Sequence, residues 1–482
     1  MCIRDRDKRD TLNNDMESDA VVIGAGLAGI LTAYKLASSG VDTVVLEAGR
    51  IAGGQTKNTT AKITSQHGYI YNILIENFGY DKALLYAEAN ENAINDFMQI
   101  IKDKNIECDF DKKDAYIYST ENEELIKKEY SAAKSLGLPA ELRKDTELPF
   151  SVRAAEIFTN QAQFNPLKFI KAIADNLKIY ENTKVIKIEG NVIYTEKNKV
   201  RARNIIISTH YPFINMPGYY FMRLHQERSY VLALKNAVQL NGMYLGIDGK
   251  GLSFRNYKDM LLLGGANHRT GENSKGGRYE YLRKEAIKYY PGSSEVTHWS
   301  AQDCISSDCV PYIGLYSANS PNWYVCTGFM KWGMTSSMVC ANIISDCILK
   351  NNNKYLELFS PQRFNSSSVP MLIKNGIEAV KGIAREHFTI PDKDLEELPV
   401  GHGGIVESDG EELGVYKPND TEIHFVDTKC PHMGCRLEWN PDEKSWDCPC
   451  HGSRFSYDGK LIDNPSQINI NHETLQNREG RE

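Results

Sequence analysis

Apolar positions along the chain change their period several times. Residues 19–47 open on a β-branched run (Ala20-Val21-Val22-Ile23), pass through glycines, carry apolar residues at helical spacing as far as Leu36, and close on Thr43-Val44-Val45-Leu46. Short apolar runs predict strands and recurrence at i, i+3, i+4 predicts helices, so this stretch predicts a β-α-β unit at the front of a doubly wound sheet. Helical spacing returns around 83–103, 164–178, 279–289 and 335–349, interleaved with strand-like segments at 184–188, 203–208, 229–235 and 260–264. The alternation predicts an α/β or α+β body over 17–350. A turn-rich stretch, NNNKYLELFSPQRFNSSSVP, ends it. A linker over 351–390 follows, with a short amphipathic helix at 371–386. From 391 to 475, short strands between Gly, Pro, Asn and Asp predict a small all-β module. Residues 1–16 are charged and lack an apolar stretch, so they read as a disordered tail or a mis-called start.

Composition then removes several function classes. A 482-residue chain that is 41% hydrophobic and 25% charged is expected to fold as a soluble protein. A net charge of −7 gives no reason to expect a nucleic-acid partner. No run of 18 uncharged apolar residues occurs, so no integral membrane segment is expected and the location reads as cytoplasmic. The total conceals an asymmetry: residues 391–482 carry 9 basic and 20 acidic side chains, a net −11, which leaves +4 for the rest. Complementary signs favour docking of the two parts, within the screening length of about 8–10 Å.

Gly24, Gly26 and Gly29 form a GxGxxG turn directly between strand and helix. The first permits the tight turn, the second lets a pyrophosphate approach the backbone, and the third allows close helix-to-strand packing. The helix N-terminus faces the phosphate charge. Glu47, at the end of the second strand, can accept hydrogen bonds from ribose hydroxyls. An adenine dinucleotide is therefore expected, and the motif physics alone leaves FAD and NAD open. GRIAGGQTKNTTAKITSQHG, following Glu47, resembles the segment of D-amino-acid-oxidase-like flavoproteins that runs over the flavin. The resemblance implies FAD contacts from Arg50, Thr59, Thr60 and Ala61. NTKVIKIE, containing Val185, resembles the adenine-contacting strand, and IIISTHYP at 205–212 resembles the strand leading back to the cofactor. CTGFMKWGMTSSM at 326–338 looks like the family's second flavin segment, which adds Gly328, Phe329, Lys331, Trp332, Gly333, Met334 and Thr335.

Four of the 11 cysteines crowd between 430 and 450, in the loops CPHMGC and CPCHGSRF. Thiolates and imidazoles at this spacing imply a metal site; a zinc tetrahedron and a Rieske [2Fe–2S] centre both use such donors. The paired loops closely resemble the Rieske family. That resemblance implies Cys430 and Cys448 on one iron, His432 and His451 on the other, and a disulfide between Cys435 and Cys450. It also implies that Ser453 hydrogen-bonds a bridging sulfide. Phe455 stands where high-potential respiratory members carry tyrosine.

As a whole the chain resembles bacterial fusions of a D-amino-acid-oxidase-like or glycine-oxidase-like flavoprotein with a C-terminal Rieske domain. The fold class implied is an FAD-binding Rossmann-type domain with an interleaved mixed-sheet substrate domain, then a small all-β Rieske domain. Amino-acid-oxidising relatives carry a carboxylate-clamping arginine four residues after a tryptophan. Here Asp303 follows Trp299 at that spacing, which raises three expectations: Asp303 attracts a cationic amine, Asp303 makes a structural hydrogen bond, or Arg255 or Arg269 takes over the clamp. His67, His210, His268 and His298 read as core or surface histidines, and Cys304 and Cys309 as ordinary buried thiols. The reading that results is an oxidoreductase that takes electrons from a small molecule, an amine or relative, and passes them through the cluster to a soluble redox partner. The second reading, a relay loaded by an external reductant, finds no second GxGxxG for NAD(P)H. A redox sensor built on Cys435 and Cys450 finds no effector feature.

Overall fold

The apolar runs at 20–23, 43–46 and 205–207 lie side by side as parallel strands in the computed structural model of the chain, which describes residues 8–364, 371, 373, 377, 398–408 and 411–476. The expected helix at 371–386 falls, apart from three positions, outside the described residues. Across the first sheet the order is Tyr312–Leu315, Trp323–Thr327, Lys199–Ile207, Met16–Ile23, Thr43–Leu46 and Lys178–Tyr180. All neighbours but the first pair run parallel. Parallel strands are covered on both faces, which is why their sequence is apolar throughout rather than alternating. Helices Leu27–Ser38 and Gly333–Leu349 pack on this sheet and bury Ile30, Leu31, Met338 and Ile344 in one core.

A second, nine-stranded mixed sheet stands beside the first, in the order Ser294–Ser306, Leu224–Lys235, Met260–Arg269, Ser253–Tyr257, Gly242–Gly246, Asp111–Ser119, Ala154–Gln163 and Lys62–Ile63, with Ala140–Arg143 paired off this path. Expected strands at 229–235 and 260–264 are the apolar ends of longer ones. Asp111–Ser119 and Ser294–Ser306 begin with exposed polar residues, so their sequence carries no apolar run to announce them. The C-terminal module is two antiparallel four-stranded sheets. Trp439 and Trp446 fill the space over Gly403 and Gly414, where an added Cβ would lie 2.5 and 2.8 Å from the indoles. No helix among the described residues is long and apolar enough to cross a membrane.

Residues 8–15 correct the expectation of a disordered tail. Leu12 is buried beside Val44 and Val185, and its N–H donates to Thr183 Oγ1 at 3.1 Å. The Arg9 guanidinium donates to the Ala174 carbonyl at 3.1 Å. One apolar residue and backbone acceptors suffice to order the segment, a signal too small to stand out among its charges.

The module is joined to the body by buried polar contacts. Arg454 reaches Asp447 and Asp463 at 3.0 Å and Glu443 at 3.4 Å, and Glu443 in turn pairs with Arg228 of the body at 2.8 Å. Burial opposes ionisation of Asp447, yet the neighbouring Arg454 and Arg228 charges hold its carboxyl below the usual range. Removing one member of such a network leaves a buried charge uncompensated, so Arg454→Met is expected to lower unfolding free energy by about 3–5 kcal/mol in denaturant titration. The lowered Asp447 contributes stability that is present above its unfolded pKa of about 3.9 and lost on acidification below it. The variant is expected to show a shallower acid loss than the wild type.

Candidate functional site

A cavity of about 850 Å³ runs from the glycine turn to the second sheet. Gly24 sits at φ +103°, and a Cβ there would lie 2.6 Å from the Ser208 carbonyl oxygen; at Gly29 it would lie 2.0 Å from the Gly24 oxygen. The first glycine therefore permits the turn and the third the helix contact. Gly26 borders the cavity and would meet only Thr56 Oγ1 at 3.4 Å. Glu47 accepts the N–H groups of Ala25 and Gly49, each at 2.8 Å, and burial raises its pKa. Glu47, Arg50 and Val185 line the same end, with Arg50 held by Glu181 at 2.6 Å.

Thr59 and Thr60 border the middle, and Gly328, Phe329, Lys331, Trp332, Gly333 and Met334 the far end. There the helix Gly333–Leu349 starts without a side-chain cap, leaving its first amides available to an electronegative group. Three expected contacts do not border the cavity: Gly29, Ala61 and Thr335. Ala61 gives its carbonyl to Arg255 at 3.0 Å, and Thr335 Oγ1 bonds His67 Nε2 at 3.0 Å. A pocket that runs from the glycine turn to the uncapped start of Gly333–Leu349 fits an FAD.

The expected substrate groups are placed differently from one another. Asp303 borders the cavity, but Lys331 lies 3.2 Å from its carboxylate. This is a structural contact of the kind the sequence left open for Asp303, and the same lysine is shared with Glu227 at 3.1 Å. Arg255 is buried beneath Ala61, and Arg269 donates to the Pro449 and Cys450 carbonyls at 3.2 Å. Neither borders the cavity. Sequence reasoning missed Lys62, which does; its Nζ donates to the Tyr244 carbonyl at 2.9 Å and Ser253 Oγ at 2.7 Å, both neutral. Desolvation, helped by the Arg255 charge, pushes the Lys62 amine down to about 7. His67 and His268 are core residues, bonded to Tyr86 and Tyr230, and His298 is a surface partner of Glu295. His210 departs from that expectation: it borders the cavity with Nε2 buried and without a hydrogen-bond partner. Burial pushes Cys304 and Cys309 up to about 12 and 11, as inert thiols require.

The two loops of the C-terminal module bring Cys430, His432, Cys448 and His451 together. Contact with Cys448 draws the Cys430 thiol down to about 7 and pushes Cys448 up in turn, as two thiols sharing one site do. The imidazoles stand 5.0 Å apart and nearly perpendicular. Each buries its Nδ1 without a hydrogen-bond partner, and burial pushes His432 and His451 down to about 4 and about 3, so both are neutral. Buried orphan nitrogens are costly unless something binds them. Two thiolates and two free Nδ1 atoms fit a [2Fe–2S] cluster with mixed ligation. Cys435 and Cys450 are disulfide-bonded, and their sulfurs lie within 4.8 Å of Cys448 Sγ, so the bond ties both loops beside the ligand pocket. The Ser453 hydroxyl contacts the Cys430 sulfur and accepts the Ser466 N–H at 2.9 Å.

These loops rest on the cavity wall. Gln226 Nε2 donates to the His451 carbonyl at 2.8 Å, Gln302 Nε2 to the Gly452 carbonyl at 2.8 Å, and His432 Nε2 meets Asn215 Oδ1 at 2.8 Å. Glutamines and asparagines have no motif, so nothing in the sequence marked these three.

Residues 19–347 match the family model described as FAD dependent oxidoreductase, and residues 389–473 the Rieske [2Fe-2S] domain. The protein YhfW of Bacillus subtilis (strain 168), whose name describes a Rieske 2Fe-2S iron-sulfur protein, is 37% identical over 474 residues, 94% of this chain and 93% of that protein. The crystal structure of L-proline dehydrogenase from P. horikoshii is similar with a TM-score of 0.62 at 16% identity, over 73% of this chain and 98% of its own. Glycine oxidase from Geobacillus kaustophilus is similar with a TM-score of 0.58 at 16% identity, over 72% and 99%. These two likenesses concern the fold.

Phe455 is fully buried against Trp446 in the module's core and offers no hydroxyl toward the cluster. Hydrogen bonds to the cluster raise its potential, so a redox titration is expected to fall below the upper end of the Rieske range of about −150 to +300 mV, and Phe455→Tyr to raise it. A wild-type midpoint at that upper end would contradict this. The turn, the cavity, the ligand loops and the two matches agree: the chain belongs to the FAD dependent oxidoreductase family and carries a C-terminal Rieske [2Fe-2S] domain.

Proposed function

We propose that the protein oxidises a small amine-bearing molecule at its flavin and sends the electrons one at a time through the cluster to a soluble acceptor in the cytoplasm. FAD converts a two-electron reduction into single-electron steps, and a [2Fe–2S] cluster carries one electron. In this reading Gly24, Gly26 and Glu47 hold the dinucleotide, Thr59, Thr60 and the 328–334 turn hold the flavin end, and Cys430, Cys448, His432 and His451 hold the cluster. The observation that carries it is the placement of both sites against one strand pair, Leu224–Lys235 and Ser294–Ser306. Glycine oxidase and L-proline dehydrogenase, as named, act on amino acids, which supports a substrate with an amine.

Asp303 shares Lys331 with Glu227, so a cationic amine at this place would compete with that lysine for the two carboxylates. Lys62 is the group suited to an anionic end of the substrate: it lies in the cavity wall, and its hydrogen-bond acceptors carry no charge. Loss of its proton above about pH 7 removes that attraction.

Anaerobic mixing with a panel of amines, amino acids and NAD(P)H, with flavin and cluster absorbance followed separately, tests the reading. Flavin bleaching by an amine followed by cluster reduction is expected; reduction by NAD(P)H alone would overturn it in favour of the relay. Simple carboxylates are expected to perturb the flavin spectrum and to bind more weakly as pH rises through about 7. Lys62→Met is expected to weaken them about tenfold, about 1.4 kcal/mol. Equal binding by the variant would remove Lys62 from the substrate site.

A further inference from the structure

The strand pair Leu224–Lys235 and Ser294–Ser306 is antiparallel, with Arg228 opposite Gln302 and Gln226 opposite Cys304. Successive side chains on a strand point to opposite faces. On one face Ser229, Ala301 and Asp303 border the cavity. On the other, Gln226, Arg228, Ser300 and Gln302 meet the C-terminal module. One layer of sheet thus lies between this stretch of the cavity wall and the ligand loops, while Leu461, Asp463, Asn464 and Ser466 of the module border the cavity directly.

Within that layer Gln226 and Gln302 are connected to both sides. Gln302 borders the cavity, and its backbone N–H donates to Gln55 Oε1 at 2.9 Å. Its side-chain Nε2 donates to Gln226 Oε1 and to the Gly452 carbonyl, each at 2.8 Å. Gln226 Nε2 donates to the carbonyls of His451 at 2.8 Å and Asn464 at 3.0 Å. The fit is close: Gly452 has φ +82°, and a Cβ there would lie 2.7 Å from the Gln226 side chain. Both amides are buried, and each has among its acceptors a backbone carbonyl of the loop that carries His451. A buried amide that loses its carbonyl pays the desolvation cost without the bond, so the pair favours one register of loop on wall.

We propose that Gln226 and Gln302 are the positioning residues for electron transfer between flavin and cluster, holding the His451–Gly452 carbonyls in a continuous hydrogen-bonded contact with the cavity wall. The proposal rests on the reading that the two cofactors exchange electrons. Each transfer oxidises the reduced flavin by one electron and reduces the cluster by one; a flavin reduced by two electrons releases its proton to solvent and needs a one-electron acceptor to reoxidise the cluster between transfers.

The test is flash photoreduction of the flavin in the holoenzyme, with flavin reoxidation and cluster reduction followed at separate wavelengths, in the wild type, Gln302→Leu, Gln226→Leu and the neutral, similarly sized Gln302→Met. Small displacements of reacting partners cost rate steeply, so each variant is expected to slow the transfer by about tenfold or more. The cluster's electron paramagnetic resonance spectrum and midpoint potential are expected to stay at wild-type values, a combination that a merely structural role or a changed driving force would not give. Wild-type rates in variants with intact clusters would overturn the proposal, and so would a slowing matched by a shifted potential. No transfer in the wild type would instead overturn the underlying reading. Gln302→Met keeps the side chain's length and neutrality while removing its donor, so the question is answered even where a leucine variant fails to assemble.

Discussion

The alternation of side chains along one pair of antiparallel strands is the constraint on which the rest depends. Leu224–Lys235 and Ser294–Ser306 belong to the second sheet of the flavin domain, yet the alternate side chains Gln226, Arg228, Ser300 and Gln302 serve the C-terminal module. A slip of one residue in their register would exchange the two faces entirely, sending Asp303 and Ser229 toward the cluster loops and Arg228 and Gln302 into the cavity. A site for one cofactor and a dock for the other are therefore specified by the same ladder of hydrogen bonds.

Buried charge is handled consistently around this wall. Arg454 faces Glu443, Asp447 and Asp463 within the module, Arg228 meets Glu443 across the domain boundary, and the more accessible Lys331 faces Asp303 and Glu227 on the cavity side. Buried ions of this kind add little net stability over apolar packing, but one broken partner is expensive, so they favour a single arrangement. The sequence-level asymmetry of +4 and −11 is consistent with this pairing, although the decisive contacts are specific. Arg269 is a case in point: chosen from the sequence as a carboxylate clamp, it donates instead to the carbonyls of Pro449 and Cys450.

Legibility in the sequence followed the reach of each signal. The β-α-β unit, the glycine turn with Glu47, and the loops around Cys430 and Cys448 are local in sequence and chemically unusual, and each lies where the pattern predicted. Strands such as Asp111–Ser119 escaped because their ends face solvent and dilute the apolar period. Lys62, His210, Gln226 and Gln302 escaped for a different reason. Their significance comes from partners up to 247 residues away in sequence, as for the Gln226–His451 contact at a separation of 225 and the contact between Gln302 and Gln55 at 247. A lysine is unremarkable until its neighbours prove neutral, and a glutamine until the carbonyl it meets belongs to a metal-ligand loop.

The arrangement implies that flavin and cluster are held in one fixed unit, the module both resting on the Leu224–Lys235 and Ser294–Ser306 pair and bordering the cavity itself. Electron paramagnetic resonance of the holoenzyme poised with both centres reduced by one electron tests it most directly. The account predicts magnetic coupling between the flavin radical and the reduced cluster, seen as a splitting or a faster relaxation of the radical signal with one uniform strength. A radical signal identical to that of an isolated flavin, unaffected by reduction of the cluster, would contradict it.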